Sequence, residues 1–441
     1  MAATAWEEAA VAATEGRGPA WGRIVLAACA LPGVVGLAAP RPARADEAPE
    51  KATIEFKLSG YNEWQNDSSH SSSSASGSSV TSGGIATISA ASGGGSTGGT
   101  TGGSTGTTTS STSSSGRATV GRAKVISPAI AVRLPLGREW ALEGAGTVDR
   151  VSGASPTYYA DQSSFANFED TRRAIDGKLT RYFRRQSLTV GGARSTEADY
   201  RSRTLSAEGR WATEDQNTTF NVGRGWTRDV VNPSTQVVVD ARKAVDDWQV
   251  GVTQAFTRDD LVQLAYTRIQ QQGYLNDPYK DWDSRPGTRL AHVVQLRWNH
   301  WLGDSALKWG YRWWHDDWGV RAHTVELAWA LPVSDGTTFT PELRWHTQSA
   351  ARFYVPVDTS SATYPQPADT SGYTTLDQRL SAFGAITAGA KLEWPVSDSW
   401  SANVKASYYR QDSRLRLLGT GSSGIEPLSA VIWQVGAKHS F

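Results

Sequence analysis

The sequence has almost no cysteine: the single Cys29 lies within the first 45 of 441 residues. The rest of the chain therefore cannot form a disulfide or a thiolate metal site. An excess of either charge is also missing, because 44 basic residues stand against 43 acidic ones. This balance gives no polyanion-binding signature, and we expect no nucleic acid partner.

Long apolar runs are missing as well. The apolar run at 24–39 is about 16 residues long and contains Pro32, so it is too short and too broken to span a hydrocarbon core of ~30 Å. No later window approaches the composition of a membrane helix. If the processed chain is in a membrane, it must be there as a closed barrel.

Catalytic motifs are absent from the sequence too. No serine lies in the strand-to-helix context of a nucleophile elbow, since G-x-S-x-G occurs only within the Ser/Gly/Thr tract, and H-E-x-x-H is absent. We therefore predict that the protein is not an enzyme and has no cofactor.

The first 45 residues have the pattern of an export signal. Arg17 and Arg23 precede the apolar run, and Ala43, Arg44 and Ala45 form an A-x-A cleavage site. Leu26 to Cys29 resembles a lipoprotein cleavage box, which is the alternative processing site. We predict a cleaved signal peptide at 1–45 and a mature protein at 46–441.

Residues 71–116, within a predicted loop at 66–117, are nearly all Ser, Thr and Gly. Such a composition buries too little apolar surface to offset the entropy of ordering. The segment is predicted to be a disordered loop on the outer side.

Alternation of apolar and polar residues dominates the chain from Ala118 onward, and also the segment before the Ser/Gly/Thr tract. In 290–298, for example, Leu290, Val294, Leu296 and Trp298 alternate with polar residues, as in half-buried strands. About sixteen such segments can be counted. The short connections between them alternate with long ones, which is typical of a transmembrane β-barrel with short periplasmic turns and long extracellular loops. We predict an all-β, antiparallel up-and-down barrel in the bacterial outer membrane.

Aromatic residues on the apolar parity support this prediction. They lie close to the predicted turns, as in the aromatic girdles of membrane barrels, at Trp140, Trp211, Trp248, Trp298, Trp301, Trp309, Trp329, Trp394 and Trp400. The chain ends on an alternating strand that should pair with the first strand and close the cylinder. Trp433, Val435 and Phe441 in this strand resemble a C-terminal signal for the barrel-assembly machinery, which we expect as a partner together with outer-membrane lipid.

The opposite parity should face the lumen, and it contains acids and bases in nearly equal numbers. The acids are Glu55, Glu63, Glu143, Asp149, Asp176, Glu208, Glu326, Glu342 and Glu393, and the bases are Lys57, Arg133, Lys178, Arg210, Arg297, Lys308, Arg312, Arg344, Lys391, Lys405 and Lys438. A strongly selective channel needs one sign to dominate its constriction. A channel built from this chain should therefore have weak charge selectivity.

One stretch of the chain is richer in reactive side chains. It falls at the outer ends of the predicted strands 9–13, so these residues should share one arc of the outer rim: Tyr274, Asn276, Asp277, Arg285, His315, Asp316, Asp317 and His346. We predict a binding site there. The alternatives are hydrogen bonds that fix the loops, and a divalent-cation or His-centred site, for which the spacing is not diagnostic. Asp277, Asp281 and Asp283 are a further alternative set of oxygen ligands for calcium.

Several blocks in this region resemble a known family. GYLNDPYK (273–280), the following RP, the YR..HDDWG block (311–319) and PELRWHTQSAARFY (341–354) are similar to the bacterial outer-membrane proteins grouped as domain of unknown function 3570. The resemblance implies an outer-membrane β-barrel and carries no established activity or catalytic residues. Genes of the family often lie near thioredoxin-like and flavin-transferring proteins, which implies a possible periplasmic redox partner.

Two functions follow as expectations. The first is a pore or transport barrel for small solutes. The second is a sheath or docking barrel that does not conduct and holds a periplasmic or secreted partner. A barrel enzyme acting on envelope lipid would need a His-centred site facing the lipid, and the sequence shows no such set.

Overall fold

The structure is a computed structural model that describes residues 48–66, 119–153, 168–280, 282–356, 372–425 and 427–441. The predicted signal peptide at 1–45 and the predicted disordered loop at 66–117 fall almost wholly outside these ranges. Within them the chain forms sixteen β-strands: β1 Thr53–Asn66, β2 Thr119–Leu136, β3 Trp140–Gly153, β4 Phe168–Tyr182, β5 Gln186–Thr196, β6 Tyr200–Ala212, β7 Thr218–Val231, β8 Ala241–Ala255, β9 Asp260–Gly273, β10 Thr288–Trp301, β11 Ala306–Asp316, β12 Arg321–Ser334, β13 Thr337–Gln348, β14 Phe383–Pro395, β15 Trp400–Asp412 and β16 Leu428–Ser440.

Every strand pairs antiparallel with its neighbours in sequence, and β1 pairs with β16, so the sheet closes into a barrel. The closing ladder runs from Thr53 opposite Ser440 to Gln65 opposite Leu428. Closure leaves no strand with an unpaired edge, which is how an all-β protein removes its aggregation-prone edges. The predicted sixteen-strand antiparallel barrel is confirmed.

The connections differ between the two ends of the barrel. At the end that carries both termini the turns are tight, and Gly303 in one of them has φ 90°, a conformation that favours glycine. Longer loops at the other end include 232–240, 274–287 and 413–427. Since short turns face the periplasm in outer-membrane barrels, the longer loops lie outside.

Apolar side chains cover the outer surface of the barrel. They include Ile175 and Leu205, each 66% exposed, and Leu188, 51% exposed. Alternation places charged residues such as Lys57 and Glu208 on the inner face, where both are 6% exposed. The registers place every charged residue predicted to face the lumen on that inner face.

One aromatic residue of the predicted girdle lies on the wrong face. Trp301 pairs with Ala306, which shares the inner face with Lys308. Trp298 and Trp301 are three residues apart, and an odd spacing in a strand cannot keep two side chains on one face. Trp298 does face outward and donates a 2.9 Å hydrogen bond to Asp260.

A further feature of the described residues concerns helices: none is long and apolar enough to cross a membrane. The two helical segments are single 3-10 turns at Gln378–Leu380 and Ser413–Leu415.

Candidate functional site

The loops that follow β9 and β13 hold a buried ionic network at the outer rim. Arg285 donates to Asp283 at 2.8 Å and to Asp377 at 2.7 Å. Arg379 pairs with Asp377 and donates to Asp277 at 2.5 Å. All five side chains are at most 12% exposed, so their charges are compensated by one another rather than by water.

Burial and charge act in opposite directions on the carboxyl groups of this network. Burial alone would raise the pKa of Asp377, but Arg379, Lys280 and Arg285 together hold it well below its usual range. Burial raises the pKa of Asp283 above the usual range, because the charge of Arg285 offsets it only in part. The network therefore contains one strongly ionised centre, Asp377, on which three cations converge.

Backbone bonds connect the same two loops. Ser284 and Thr374 exchange two 2.8 Å hydrogen bonds in an isolated antiparallel bridge, and Val355 donates to the carbonyl of Thr375 at 2.9 Å. The side chain of Gln348, at the end of β13, donates to the carbonyls of Arg379 and Ser381 at 2.9 and 2.8 Å. These bonds fix the loops to the rim and to each other.

An apolar cluster lies next to the ionic network. Its buried members come from three connections at the outer end and are Leu275, Trp318, Val320, Ala351, Tyr354 and Leu380, with Trp314 partly buried against them. Trp318 donates to the carbonyl of Thr288 at 2.8 Å. We call the residues 274–280, 282–287, 317–320, 349–356 and 372–382 the outer cap. The outer cap is thus a packed structure with a core of its own.

Neighbouring loops extend these contacts. The hydroxyl of Tyr279 donates to Asp199 in the β5–β6 connection at 2.5 Å, and the backbone of Ser234 donates to the same hydroxyl at 3.1 Å. Burial and the bond to Asp199 raise the pKa of Tyr279 to about 12. On the other side, Ser422 donates to the carbonyl of Ala382 at 2.8 Å.

The predicted residues Asp316 and Asp317 fix the β11–β12 turn. Asp316 is fully buried and accepts from Arg289 at 2.5 Å, from the Trp314 indole at 3.0 Å and from the backbone of Val320 at 2.9 Å. Asp317 accepts from the backbone of Leu290 at 3.0 Å. The guanidinium of Arg289 also lies 4.5 Å from the Trp318 ring centroid, a cation–π contact.

The two predicted histidines do not meet. His346 faces inward, is 5% exposed and shares a 2.9 Å hydrogen bond with Thr324. His315 lies on the outward alternation opposite His292 and Arg321, and its ring stacks on Trp313. Because side chains alternate between the faces of a strand, the wall of the barrel separates them. The structure thus argues against a metal or base site that uses both.

The remaining predicted residues belong to the outer cap. Tyr274, Asn276, Asp277 and Arg285 all lie in the β9–β10 loop, where the Asn276 side chain accepts from the backbone of Arg285 at 2.8 Å. The predicted arc is therefore one region of the structure for all residues except His315. Its role in binding stays a prediction.

Sequence reasoning missed two of the five members of the ionic network, Asp377 and Arg379. Asp377 and Arg379 lie 92 and 102 residues after their partners Arg285 and Asp277. Two charges within the short segment TLDQRL were the only signal, and a charged loop is ordinarily solvated. Asp283 was considered only as a calcium ligand, whereas the structure pairs it with Arg285.

A second acidic group lies at the outer end of the barrel, on β4 and in the β5–β6 connection. Carboxylate oxygens of Asp170, Glu197 and Asp199 all lie within 4.8 Å of one another. Oxygen ligands at this spacing could hold a hard cation such as calcium.

Ion pairs line the lumen wall. Lys405 on β15 contacts Glu342 on β13 at 2.6 Å, and Arg133 on β2 contacts Glu143 on β3 at 2.6 Å. Other pairs join residues two apart on one strand, such as Lys57 with Glu55 at 3.1 Å. The structure adds further charged residues to this inner face: Arg172, Asp229, Lys243, Asp247, Arg289 and Asp316. Their signs are mixed like those of the predicted set.

A closed barrel with an apolar outer face, a charged lumen and tight turns at the end of both termini is a bacterial outer-membrane β-barrel. The family described as "Protein of unknown function (DUF3570)" matches residues 22–247 and 234–431, and the chain belongs to this family. No curated protein matches the sequence.

Three solved structures are among those to which the chain is similar at low sequence identity. A FadL homologue of Pseudomonas aeruginosa is 10% identical over 88% of this chain and 90% of its own, with a TM-score of 0.40. A TodX deltaS2S3 mutant monoaromatic hydrocarbon channel is 10% identical over 89% and 91%, with a TM-score of 0.39. Pseudomonas aeruginosa OccK2 (OpdF), solved in complex with glucuronate, is 10% identical over 90% and 99%, with a TM-score of 0.39.

Proposed function

We propose that the protein is a pore that passes small polar solutes across the outer membrane with weak charge selectivity. The observation that carries the proposal is the lumen-facing register, which is polar and charged in a barrel of sixteen strands. Barrels with 16–18 strands are wide enough to leave an aqueous channel.

Solvent-accessible side chains on the inner face support an open path. The side chain of Glu326 on β12 faces the lumen and is 51% exposed, although it pairs with Arg344 at 3.2 Å. Ala193 on β5, which lies across the barrel from β12, also faces the lumen and is exposed. A lumen filled by its own side chains would leave neither accessible.

The arrangement of charge supports the selectivity part of the proposal. Lumen acids lie beside lumen bases, as in the pairs of Glu342 with Lys405 and Glu143 with Arg133. A pore wall of paired charges has little net field along its axis, and neither ion sign is strongly excluded. The outer cap then restricts the size of the solutes that enter past β9–β14.

A liposome-swelling assay, which measures the rate of solute entry, tests permeation directly. Liposomes with the refolded full chain should swell in neutral sugars, with rates that fall as sugar size rises and differ little between anionic and cationic solutes of equal size. Ala193→Trp places a large ring on the inner face and should slow swelling several-fold. Val190→Trp, on the outer face of the same strand, is the matched control and should leave the rate unchanged.

The non-conducting sheath predicts another result. A barrel that is fully inserted, shown by heat-modifiable mobility and protease protection, and yet gives no swelling in the smallest sugar contradicts the pore. Equal slowing by both tryptophan variants would also contradict it, because the outer face does not line the path.

A further inference from the structure

Five arginines lie on the lipid-facing side of adjacent strands, near their outer ends. They are Arg150 on β3, Arg173 on β4, Arg194 on β5, Arg203 on β6 and Arg228 on β7, and all five are exposed. Their registers place them on the outward alternation together with apolar residues such as Ile175 and Leu205. Each lies within about five residues of the outer end of its strand, where the headgroups of the outer leaflet meet the barrel.

Three of these arginines are direct cross-strand neighbours. Arg194 is opposite Arg203, and Arg203 is opposite Arg228. Like charges directly opposite one another destabilise a sheet. Arg228 pairs with Asp246 at 3.2 Å, whereas Arg194 and Arg203 form no ion pair with any residue that the structure describes. The row thus presents an uncompensated positive charge.

The same cross-strand row continues into an apolar groove on the outer face. Arg194 is opposite Ile175, Ile175 is opposite Gly146, and Gly146 is opposite Ile130, whose other neighbour is Phe56. The groove has a volume of about 590 Å³, and its lining includes Phe56, Ile130, Val148 and Ile175 with Arg173 and Arg194. Gly146 has no side chain, so it leaves the groove open at its base.

The order of apolar and basic residues along the row matches the order of acyl chains and headgroup in an outer-leaflet lipid. Strands in such barrels are tilted, so a cross-strand row climbs obliquely through the membrane. Phe56 lies three residues from the periplasmic end of β1, and Arg228 lies three residues from the outer end of β7. The apolar end of the row therefore lies on the periplasmic side of the basic end, below the outer headgroups, and the basic end lies at their level.

We propose that this row is a binding site for a phosphorylated, acylated glycolipid of the outer leaflet. An acyl chain lies in the groove at Ile130, Gly146 and Ile175, and phosphate groups accept hydrogen bonds from Arg194, Arg203 and Arg173. Arginine suits this role because its planar guanidinium donates two parallel hydrogen bonds to a phosphate. The site does not depend on whether the lumen conducts.

Binding is tested with the refolded full chain in detergent micelles and lipopolysaccharide as the probe, by native mass spectrometry and by titration of a fluorescent lipopolysaccharide. The double variant Arg194→Gln, Arg203→Gln should weaken binding at least tenfold. Arg181→Gln is the matched control. Arg181 also faces outward on β4, but at the periplasmic end, where it contacts Trp140 and Phe183.

The groove is tested separately from the charges. A Cβ on Gly146 would lie 3.8 Å from its nearest neighbour, a side-chain atom of Ile130, so the backbone accepts a side chain here and Gly146→Leu occupies part of the groove. It should weaken binding of the acylated lipid several-fold. Gly209→Leu, an outward position on β6 with the same 3.8 Å clearance, should not.

Two further probes separate the chemistry of the ligand. Dephosphorylated lipopolysaccharide should bind the wild-type protein as weakly as the intact lipid binds the double arginine variant. The deacylated, phosphorylated saccharide should bind weakly and show no response to Gly146→Leu. The proposal is overturned if the arginine variants bind the intact lipid as tightly as wild type. It is also overturned if the deacylated saccharide binds as tightly as the lipid, which would indicate a simple anion site.

Discussion

The guanidinium of Arg285 donates a 2.7 Å hydrogen bond to Asp377, a residue 92 positions later in a different outer loop. Asp377 is fully buried and also pairs with Arg379, which in turn reaches back to Asp277 in the first loop. The outer cap is therefore held by a chain of buried ion pairs rather than by exposed ones. Removing one member of a buried pair leaves its partner buried and less well compensated, which costs about 3–5 kcal/mol.

The first prediction concerns this network. Asp377→Asn removes the one negative charge on which Arg379, Lys280 and Arg285 converge, so the outer cap should open locally far more often. Amide hydrogen exchange in 274–280 and 372–382 should become at least a hundredfold faster, while β1–β8 keep their protection. Glu214→Gln is the control, because it breaks an exposed pair with Arg185 in a periplasmic turn. Unchanged exchange in Asp377→Asn would show that apolar packing alone holds the cap.

The second prediction is the response of the outer cap to pH. The pKa of Asp377 is lowered on folding, so its contribution to stability is present above its ordinary pKa of about 3.9 and is lost only as pH falls through the lowered value. The pKa of Asp283 is raised by burial, so its protonation on acidification favours the folded cap. Both pKa shifts, the lowered one of Asp377 and the raised one of Asp283, therefore keep the cap closed from pH 8 to about pH 4.5.

Exchange rates corrected for the intrinsic effect of pH test this statement. They should stay constant, or fall slightly, across that interval in the two cap loops. A cooperative loosening near pH 6 would contradict it and would point to a different titrating group.

The third prediction concerns the lumen pair of Glu342 and Lys405, whose charged atoms are 2.6 Å apart. Glu342→Gln leaves a lumen cation and should shift ion preference toward anions, while Lys405→Gln should shift it toward cations. Because many other paired charges remain, each shift in permeability ratio should be about two- to threefold. Reversal potentials in a salt gradient measure it. Asp246→Asn removes a charge from the outer face and should leave the ratio unchanged.

The fourth prediction concerns barrel closure. Gly60 on β1 lies opposite Trp433 on β16, and a Cβ on Gly60 would overlap the indole ring of Trp433. Gly60→Val should displace the ring and weaken the closing ladder, at a cost of about 1–3 kcal/mol. The fraction of heat-modifiable, folded barrel after refolding should fall.

Gly177→Val is the control for closure. Gly177 is also outward-facing, but the nearest atom to an added Cβ is 3.8 Å away. Folding of Gly177→Val at the wild-type yield would be consistent with a specific effect at the seam. Equal loss in both variants would instead indicate a general intolerance of valine on this face.

The strand architecture could be predicted because its signal is local. Alternation along a strand fixes which side chains face lipid, and one closed antiparallel order satisfies sixteen such strands. The structure also accounts for His439, a polar residue on the apolar parity that lies opposite Trp400. Its ring stacks on Trp400 at 4.6 Å and meets the edge of the terminal Phe441 at 4.4 Å. The predicted role of Trp433, Val435 and Phe441 in assembly stays a prediction.

The outer cap could be predicted only in part, since its partners are far apart in sequence. The position of Asp277 and Arg285 at the rim followed from strand order, but Asp377 and Arg379 belong to an irregular loop without periodicity. Strand order placed His315 and His346 at the same end of the barrel, but only the registers show that they lie on opposite faces of the wall. The arginine row was missed because it depends on the pairing of neighbouring strands. Each arginine is an ordinary exposed residue in its own strand, and only the register brings Arg194, Arg203 and Arg228 side by side.

Conductance of the refolded full chain in a planar lipid bilayer tests the central claim most directly. We predict discrete steps of current that scale with salt concentration, with a potassium-to-chloride permeability ratio within about threefold of unity, as expected for a lumen of paired charges. A barrel that inserts and stays silent, or that passes one ion sign almost exclusively, would contradict the account.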